Sequence, residues 1–135
     1  MNDKQIDKIG LAVIRNRQLL MVRSHRNKDV FYVLGGKPDK GENDLDCIER
    51  EVEEEISAKV SVGSIRYLAS FKEISHDKPD TVVNLKLYFG KILSEPVVAN
   101  EIAEYKYIDT KSHEKHMSPL TENVLSWLHQ NDYID

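Results

Sequence analysis

Gly36-Lys37-Pro38-Asp39-Lys40-Gly41-Glu42, followed after seven residues by Arg50-Glu51-Val52-Glu53-Glu54-Glu55, is the segment whose reading decides the fold. Within it Leu45, Ile48, Val52 and Ile56 are spaced by three, four and four residues, which predicts a helix from Leu45 to about Ile56, capped by Asn43 or Asp44. With Val52 at zero and ~100° per residue, Leu45, Ile48 and Ile56 fall within about 40° of it and define the expected core face. Glu55, Glu51 and Glu54 then lie at roughly -60°, -100° and -160°, whereas Glu49 and Glu53 lie on the other side. Three carboxylates are therefore expected to converge beside the buried stripe, with Glu54 and Glu55 partly solvated. Like charges one turn apart repel by a few tenths of a kcal/mol, and a bound cation reverses that sign. Oxygen donors suit Mg2+, with Mn2+ as the alternative, and such ions commonly share their coordination with phosphate oxygens. Arg50, four residues before Glu54, is placed to hold that side chain. An acidic helix face is more often simply solvated. The loop preceding this one is what separates the two readings.

Outward from this segment the pattern is mainly β. Phe31-Tyr32-Val33-Leu34 reads as a short strand ended by Gly35-Gly36. Upstream, Ile9 to Ile14 and Leu19 to Val22 read as buried strands joined by a turn at Arg15-Asn16-Arg17-Gln18. Downstream, Val60 to Ile74 and Thr81 to Leu93 predict two long paired strands, and Ile102 to Ile108 a further one. Ser118-Pro119 supplies an N-cap and a first-turn proline for a helix carrying Leu120, Val124, Leu125 and Leu128. Mixed strands with one central and one terminal helix give the class α/β, a sandwich with helices on the faces of a mixed sheet.

At 135 residues the chain is expected to form one domain, residues 1–135. Its 40% hydrophobic and 31% charged residues are those of a globular protein. The net charge of -4 and the scattered 19 Lys+Arg argue against duplex nucleic acid as a partner. A single cysteine, Cys47, and a start at Met1-Asn2-Asp3-Lys4-Gln5 without an apolar run give the expectation of a reducing, cytoplasmic location. No apolar stretch approaches the ~18 residues of a membrane span, so no membrane association is expected. A homodimer is the oligomer left open.

The decisive segment resembles the Nudix box: glycine, five residues, glutamate, seven residues, Arg-Glu, an aliphatic, any residue, Glu-Glu, any residue, glycine and an aliphatic. Gly36, Glu42, Arg50, Glu51, Val52, Glu54 and Glu55 occupy their places, and Ala58 is a weak closing aliphatic. Ser57 stands where the family carries glycine. Phe31-Tyr32-Val33-Leu34-Gly35-Gly36 is similar to the family's Trp-x-Leu-Pro-Gly-Gly entry, with Phe31 for Trp and Leu34 for Pro. The resemblance implies a Nudix-type α/β/α sandwich and metal-dependent hydrolysis of a nucleoside diphosphate linked to a group X. It implies Glu51, Glu54 and Glu55, with Gly36, as the metal site, and Glu51, Arg50 and Glu54 as catalytic residues. Glu51 either completes the metal site or accepts the proton of the attacking water. Gly35, Gly36, Gly41 and Glu42 form the supporting loop, where Glu42 adds a ligand or braces the chain. A catalytically silent Nudix-fold module that senses a nucleotide is the alternative.

The missing glycine marks the helix end, where Ser57 either turns left-handed, at a cost on the order of 1 kcal/mol, or stays right-handed and ends the helix differently from the family pattern. In some relatives a further glutamate precedes the last strand, and Glu101 or Glu104 stands there. Arg23, at the end of the second strand, is either a phosphate contact or a surface arginine. His76, His113 and His116 lack zinc-like partners in the sequence, and Trp127 and Tyr133 are expected to pack rather than stack on a base. ADP-ribose-cleaving relatives often carry a proline about fifteen residues past the box where this chain has Glu73, with Pro79 too late, which argues against ADP-ribose; a nucleoside triphosphate is the leading substrate.

Overall fold

A computed structural model describes residues 4–27, 30–75, 77–112 and 117–135. In chain order the elements are β1 (Lys4–Ala12), β2 (Ile14–Arg15), β3 (Gln18–Ser24), β4 (Tyr32–Gly36), α1 (Asp44–Ile56), β5 (Val60–Ile74), β6 (Thr81–Ile92), β7 (Ile102–Ile108) and α2 (Pro119–Gln130). The strands form one sheet in the order β2-β3-β4-β1-β6-β5, with β7 on β3. β1 and β6 run parallel, and the other described pairs are antiparallel. The expected class, α/β with a mixed sheet and two helices, is the one observed.

Strand alternation divides the core into two layers. Ile9, Leu11, Leu20, Val22 and Leu34 meet Cys47, Ile48, Val52 and Ile56 of α1 on one face. Ala12, Leu19, Met21, Leu85, Leu87 and Ile108 meet Val124, Leu125 and Leu128 of α2 on the other. At ~25 cal/mol per Å² of apolar surface removed from water, these layers are the main favourable contribution to folding. Among the described residues no helix is long and apolar enough to cross a membrane.

Some boundaries differ from the sequence reading. β1 begins at Lys4 instead of Ile9, because β6 pairs with it residue for residue from Lys4↔Thr81 to Ala12↔Phe89 and draws its polar half into the sheet. The turn after β2 places Asn16 and Arg17 at φ 52° and 60°, the left-handed pair that matches a two-residue hairpin. The buried face of α1 is rotated: Cys47 and Glu55 are buried, whereas Leu45 is only partly so. The reason is β4, whose Gly35 and Gly36 present no side chains and let the glutamate side of the helix approach the strand.

Asn43 caps α1, its Oδ1 accepting from Asp46 N at 2.8 Å. At the other end the orphan carbonyls are taken by the loop before β7. Val97 N donates to Ile56 O at 2.8 Å, Ala99 N to Glu55 O at 3.1 Å and Asn100 Nδ2 to Glu54 O at 2.8 Å. The helix leaves through Ser57, left-handed at φ 51° and ψ 38°. Serine carries a Cβ clash there that glycine avoids, and its side chain is exposed. Ser57→Gly is therefore expected to stabilise the protein by up to roughly 1 kcal/mol, read as a higher urea midpoint. A lower midpoint would mean that the entropy glycine adds to the unfolded chain outweighs the relieved clash.

Candidate active site

The two glycines at the end of β4 are fixed by what lies against them. Gly35 has φ +136°, and a Cβ on it would sit 2.0 Å from Ile9 O, inside the backbone of β1. A Cβ on Gly36 would lie 2.8 Å from the carboxylate carbon of Glu51. With neither side chain present, Gly35 N donates to Glu55 Oε1 at 2.9 Å and Glu51 rests against the strand.

Arg50 gathers the remaining acids. Its Nε and Nη2 donate to Glu42 Oε2 and Oε1, both at 2.8 Å, a two-pronged contact. Nη1 donates to Glu51 Oε1 at 2.6 Å and to Glu54 Oε2 at 3.3 Å, and Nη2 also reaches Lys37 O at 3.1 Å. Asp39 adds an ion pair at 3.2 Å. The expected Arg50–Glu54 pair is thus the longest of the arginine's carboxylate contacts, and Glu42, eight residues away, is its main partner. Glu42 also accepts from Asp39 N at 2.8 Å, so it ties the loop to the helix. The Arg50 guanidinium, aided by that amide, holds the Glu42 carboxyl down at about 2, and Glu42 in turn raises the arginine.

Glu55 is only 8% exposed, which corrects the expectation of a partly solvated side chain. Burial pushes its carboxyl up to about 8. The Gly35 N–H opposes that shift, while Glu51, Glu54 and Glu101 add to it. Glu51 is also raised by burial, against the pull of Arg50. Burial lifts the Cys47 thiol to about 12 and leaves it a buried packing group. Glu53, Glu54 and Glu55 occupy the last turn of α1, where no basic residue stands and the helix dipole disfavours negative charge. Among the described residues no three acidic, histidine or cysteine side chains stand together in metal-holding geometry. Glu51 and Glu54 turn to Arg50 and Glu55 turns to Gly35. The carboxylate oxygens of Glu51, Glu54 and Glu55 suit a hard divalent cation by type.

Gly35, Gly36 and Lys37 also border a cavity of about 370 Å³. Lys8 and Lys78 line it, and Leu85, Leu120 and Val124 form part of its apolar wall. Sequence reading missed Lys8 because its strand was placed from Ile9 onward; the available signal was a lysine between Ile6 and Gly10 on one face of β1. Arg23 does not join the carboxylates: it pairs with Glu104 at 2.6 Å across β3 and β7, the register that sets the two residues opposite each other. Glu104 is thereby engaged, whereas the charge of Glu101 reaches Glu55 and Tyr32. Gly41 takes a left-handed turn in the loop at φ +81°. Trp127 stacks on Tyr133 at 6.0 Å and meets Phe71 edge-on, in agreement with a packing role. His76, His113 and His116 lie outside the described residues.

A family model described as the NUDIX domain matches residues 6–128. The chain belongs to the Nudix family. Among solved structures it is similar to a MutT Nudix hydrolase from Burkholderia pseudomallei, with a TM-score of 0.76 at 18% identity, covering 92% of this chain and 98% of that one. The MutT protein from Methanosarcina mazei Go1 gives 0.75 at 12% identity, covering 98% of both chains. A UDP-X diphosphatase gives 0.74 at 19% identity, covering 98% of this chain and 66% of that one. No curated protein sequence matches the chain. At these identities the structures establish the fold, and the family match makes the chain a Nudix hydrolase. Nudix enzymes generally use divalent metals and act on nucleotide derivatives.

The burial of Glu55 has a consequence for the metal-free Nudix domain. A carboxyl raised on folding from its ordinary 4.5 to about 8 binds its proton more tightly when folded, so stability falls as pH rises through that window. Glu55→Gln keeps an acceptor for Gly35 N–H and removes the charge. In chelator its melting temperature is expected to exceed that of the wild type by several degrees at pH 9, with the gain shrinking toward pH 5. An equal difference at both pH values would show that Glu55 is not held protonated by the fold.

Proposed function

We propose that this Nudix domain hydrolyses a diphosphate linkage in a nucleoside diphosphate-X substrate, with a nucleoside triphosphate as the leading candidate and Mg2+, or Mn2+, as the metal. The observation that carries the reading is the buried carboxylate of Glu55, backed by the Gly35 amide and flanked by Glu51 and Glu54 at a helix end that disfavours negative charge. Glu51, Glu54 and Glu55, with the main chain of Gly36 beside them, are the groups that would hold the cation. When bound, such a cation would lower the pKa of a water and offset negative charge on the phosphate and leaving oxygens.

The protein's own part is to position and to take a proton. Arg50 sets the rotamers of Glu51 and Glu54, and Glu42 holds Arg50 in place from the loop. Glu51, partly buried against Gly36, serves as a ligand or as acceptor of the proton of the attacking water. Glu101 is the better placed of the two acids ahead of or within β7, since Arg23 engages Glu104. A small-molecule nucleotide derivative, with no duplex nucleic acid and no membrane, is the partner of this reading, in a reducing cytoplasm that leaves Cys47 a thiol. A UDP-X diphosphatase among the structural neighbours supports the bond class and not the nucleoside.

Incubation with nucleoside triphosphates, dinucleoside polyphosphates and nucleotide sugars in Mg2+ tests the proposal. Hydrolysis of at least one diphosphate linkage, abolished by chelator, is expected; tight binding with no turnover anywhere in the panel would identify a nucleotide-sensing module instead. Glu54→Gln and Glu55→Gln should each lower turnover by roughly a hundredfold or more, the scale of losing one preorganised charge contact, while remaining folded. Glu53 is exposed and lies 3.6 Å from Lys59, so Glu53→Gln should change turnover by less than about twofold. A loss at Glu53 matching that at Glu54 would overturn the assignment of carboxylates to faces of α1.

A further inference from the structure

The last three residues of α1 are held from outside the Nudix box. The loop between β6 and β7 takes their main-chain carbonyls in order: Val97 N donates to Ile56 O at 2.8 Å, Ala99 N to Glu55 O at 3.1 Å, and the side-chain amide of Asn100 to Glu54 O at 2.8 Å. An α-helix leaves its final carbonyls without partners of their own, so a donor there is favourable. Water satisfies an exposed carbonyl as well as a side chain does, but water ties it to nothing. What the loop adds is a fixed place, because the loop is itself anchored. Pro96 and Ile102 are buried near its two ends. Ile102 N donates to Ala99 O at 3.0 Å, and His25 N, just past β3, to Glu101 O at 2.8 Å.

Asn100 is the junction of these two sets of bonds. Its backbone is left-handed at φ 54°, a conformation that asparagine tolerates better than most residues. The chain turns there from the helix end toward β3, and the side chain at the turn is what reaches Glu54 O. Glu54 and Glu55 are two of the three acids assigned to the cation. Their carboxylates are engaged by Arg50 and Gly35, and their main chain by Asn100 and Ala99. These bonds also bring donors to the helix end that disfavours negative charge, in a turn where no basic residue stands.

We propose that Asn100 is a positioning residue for the cation site: acting through the main-chain carbonyl of Glu54, it fixes the last turn of α1 and with it the placing of the Glu54 and Glu55 carboxylates toward a divalent cation. The inference rests on the cation-site reading given above and adds to it a residue outside the box. An Asn100 that served the fold alone would contribute to stability and leave the affinity of the folded protein for a cation unchanged.

Asn100→Gly separates these two roles, because glycine takes the left-handed backbone without strain and only the amide is lost. Mn2+ binding in the absence of nucleotide is measured by calorimetry, at a temperature where melts in chelator show every protein folded. Asn100→Gly is expected to bind Mn2+ roughly 10-fold more weakly than the wild type, the lower end of what outer partners of metal ligands contribute. Thr110→Val is the comparison. It removes the hydroxyl that donates to Asp135 O at 2.8 Å, a bond that involves neither α1 nor the loop at its end, so its melting temperature should fall with Mn2+ affinity unchanged. Wild-type affinity in Asn100→Gly overturns the proposal and leaves the cation site standing. An equal loss in Thr110→Val also overturns it, since affinity would then follow stability. No saturable Mn2+ binding by the wild type would overturn the cation-site reading itself, and this inference with it.

Discussion

Glu55 accepts a hydrogen bond from the amide of Gly35 in a place almost closed to water, and the surrounding arrangement follows from accommodating that one carboxylate. A helix can bring a glutamate so close to a strand only where the strand offers no side chains, and Gly35 and Gly36 supply that stretch. A second acid, Glu51, then fills the space a Cβ on Gly36 would occupy. The acids fall in the second half of α1, whose dipole opposes them. Arg50 offsets part of this charge, and it is fixed in turn by the two-pronged contact with Glu42 and by Lys37 O. What remains uncompensated sits at Glu55.

The same strand end organises the opposite layer. The glycines of β4 also border the cavity of about 370 Å³ on the α2 side, and Lys37 follows directly after the glycine pair. The Nudix fold supplies the scaffold, and this chain's own residues on β1 and in the loop after β5 line that cavity.

Much of this was legible in the sequence, for identifiable reasons. Ile102–Ile108 alternates cleanly and was found to the residue, and Ser118-Pro119 marked the start of α2 because a hydroxyl cap and a first-turn proline are both local signals. Ser57, standing where a glycine belongs, marked the helix end, and its left-handed backbone is the first of the two conformations the sequence left open. What was missed depends on tertiary contact. The polar half of β1 has no strand pattern of its own and is ordered by β6, which hid Lys8. Arg50 was paired with Glu54 on helical spacing, but the loop folds back to bring Glu42 closer. A helical wheel put Glu55 next to the core face yet could not say that Glu55 is buried, since that follows from β4 presenting glycines. Arg23 looked free in sequence and is engaged because β3 and β7 set it opposite Glu104.

The central proposal is that Glu55 belongs to the cation site of this domain. Its most direct measurement is titration of the protein with Mn2+ in the absence of any nucleotide, following the free ion by its electron paramagnetic resonance signal, for the wild type and for Glu55→Gln. Saturable binding by the wild type, weakened at least ~10-fold in the variant, is the predicted result, since one anionic ligand to a hard cation is lost while the fold is kept. Equal affinity for Mn2+ in the two proteins would contradict it.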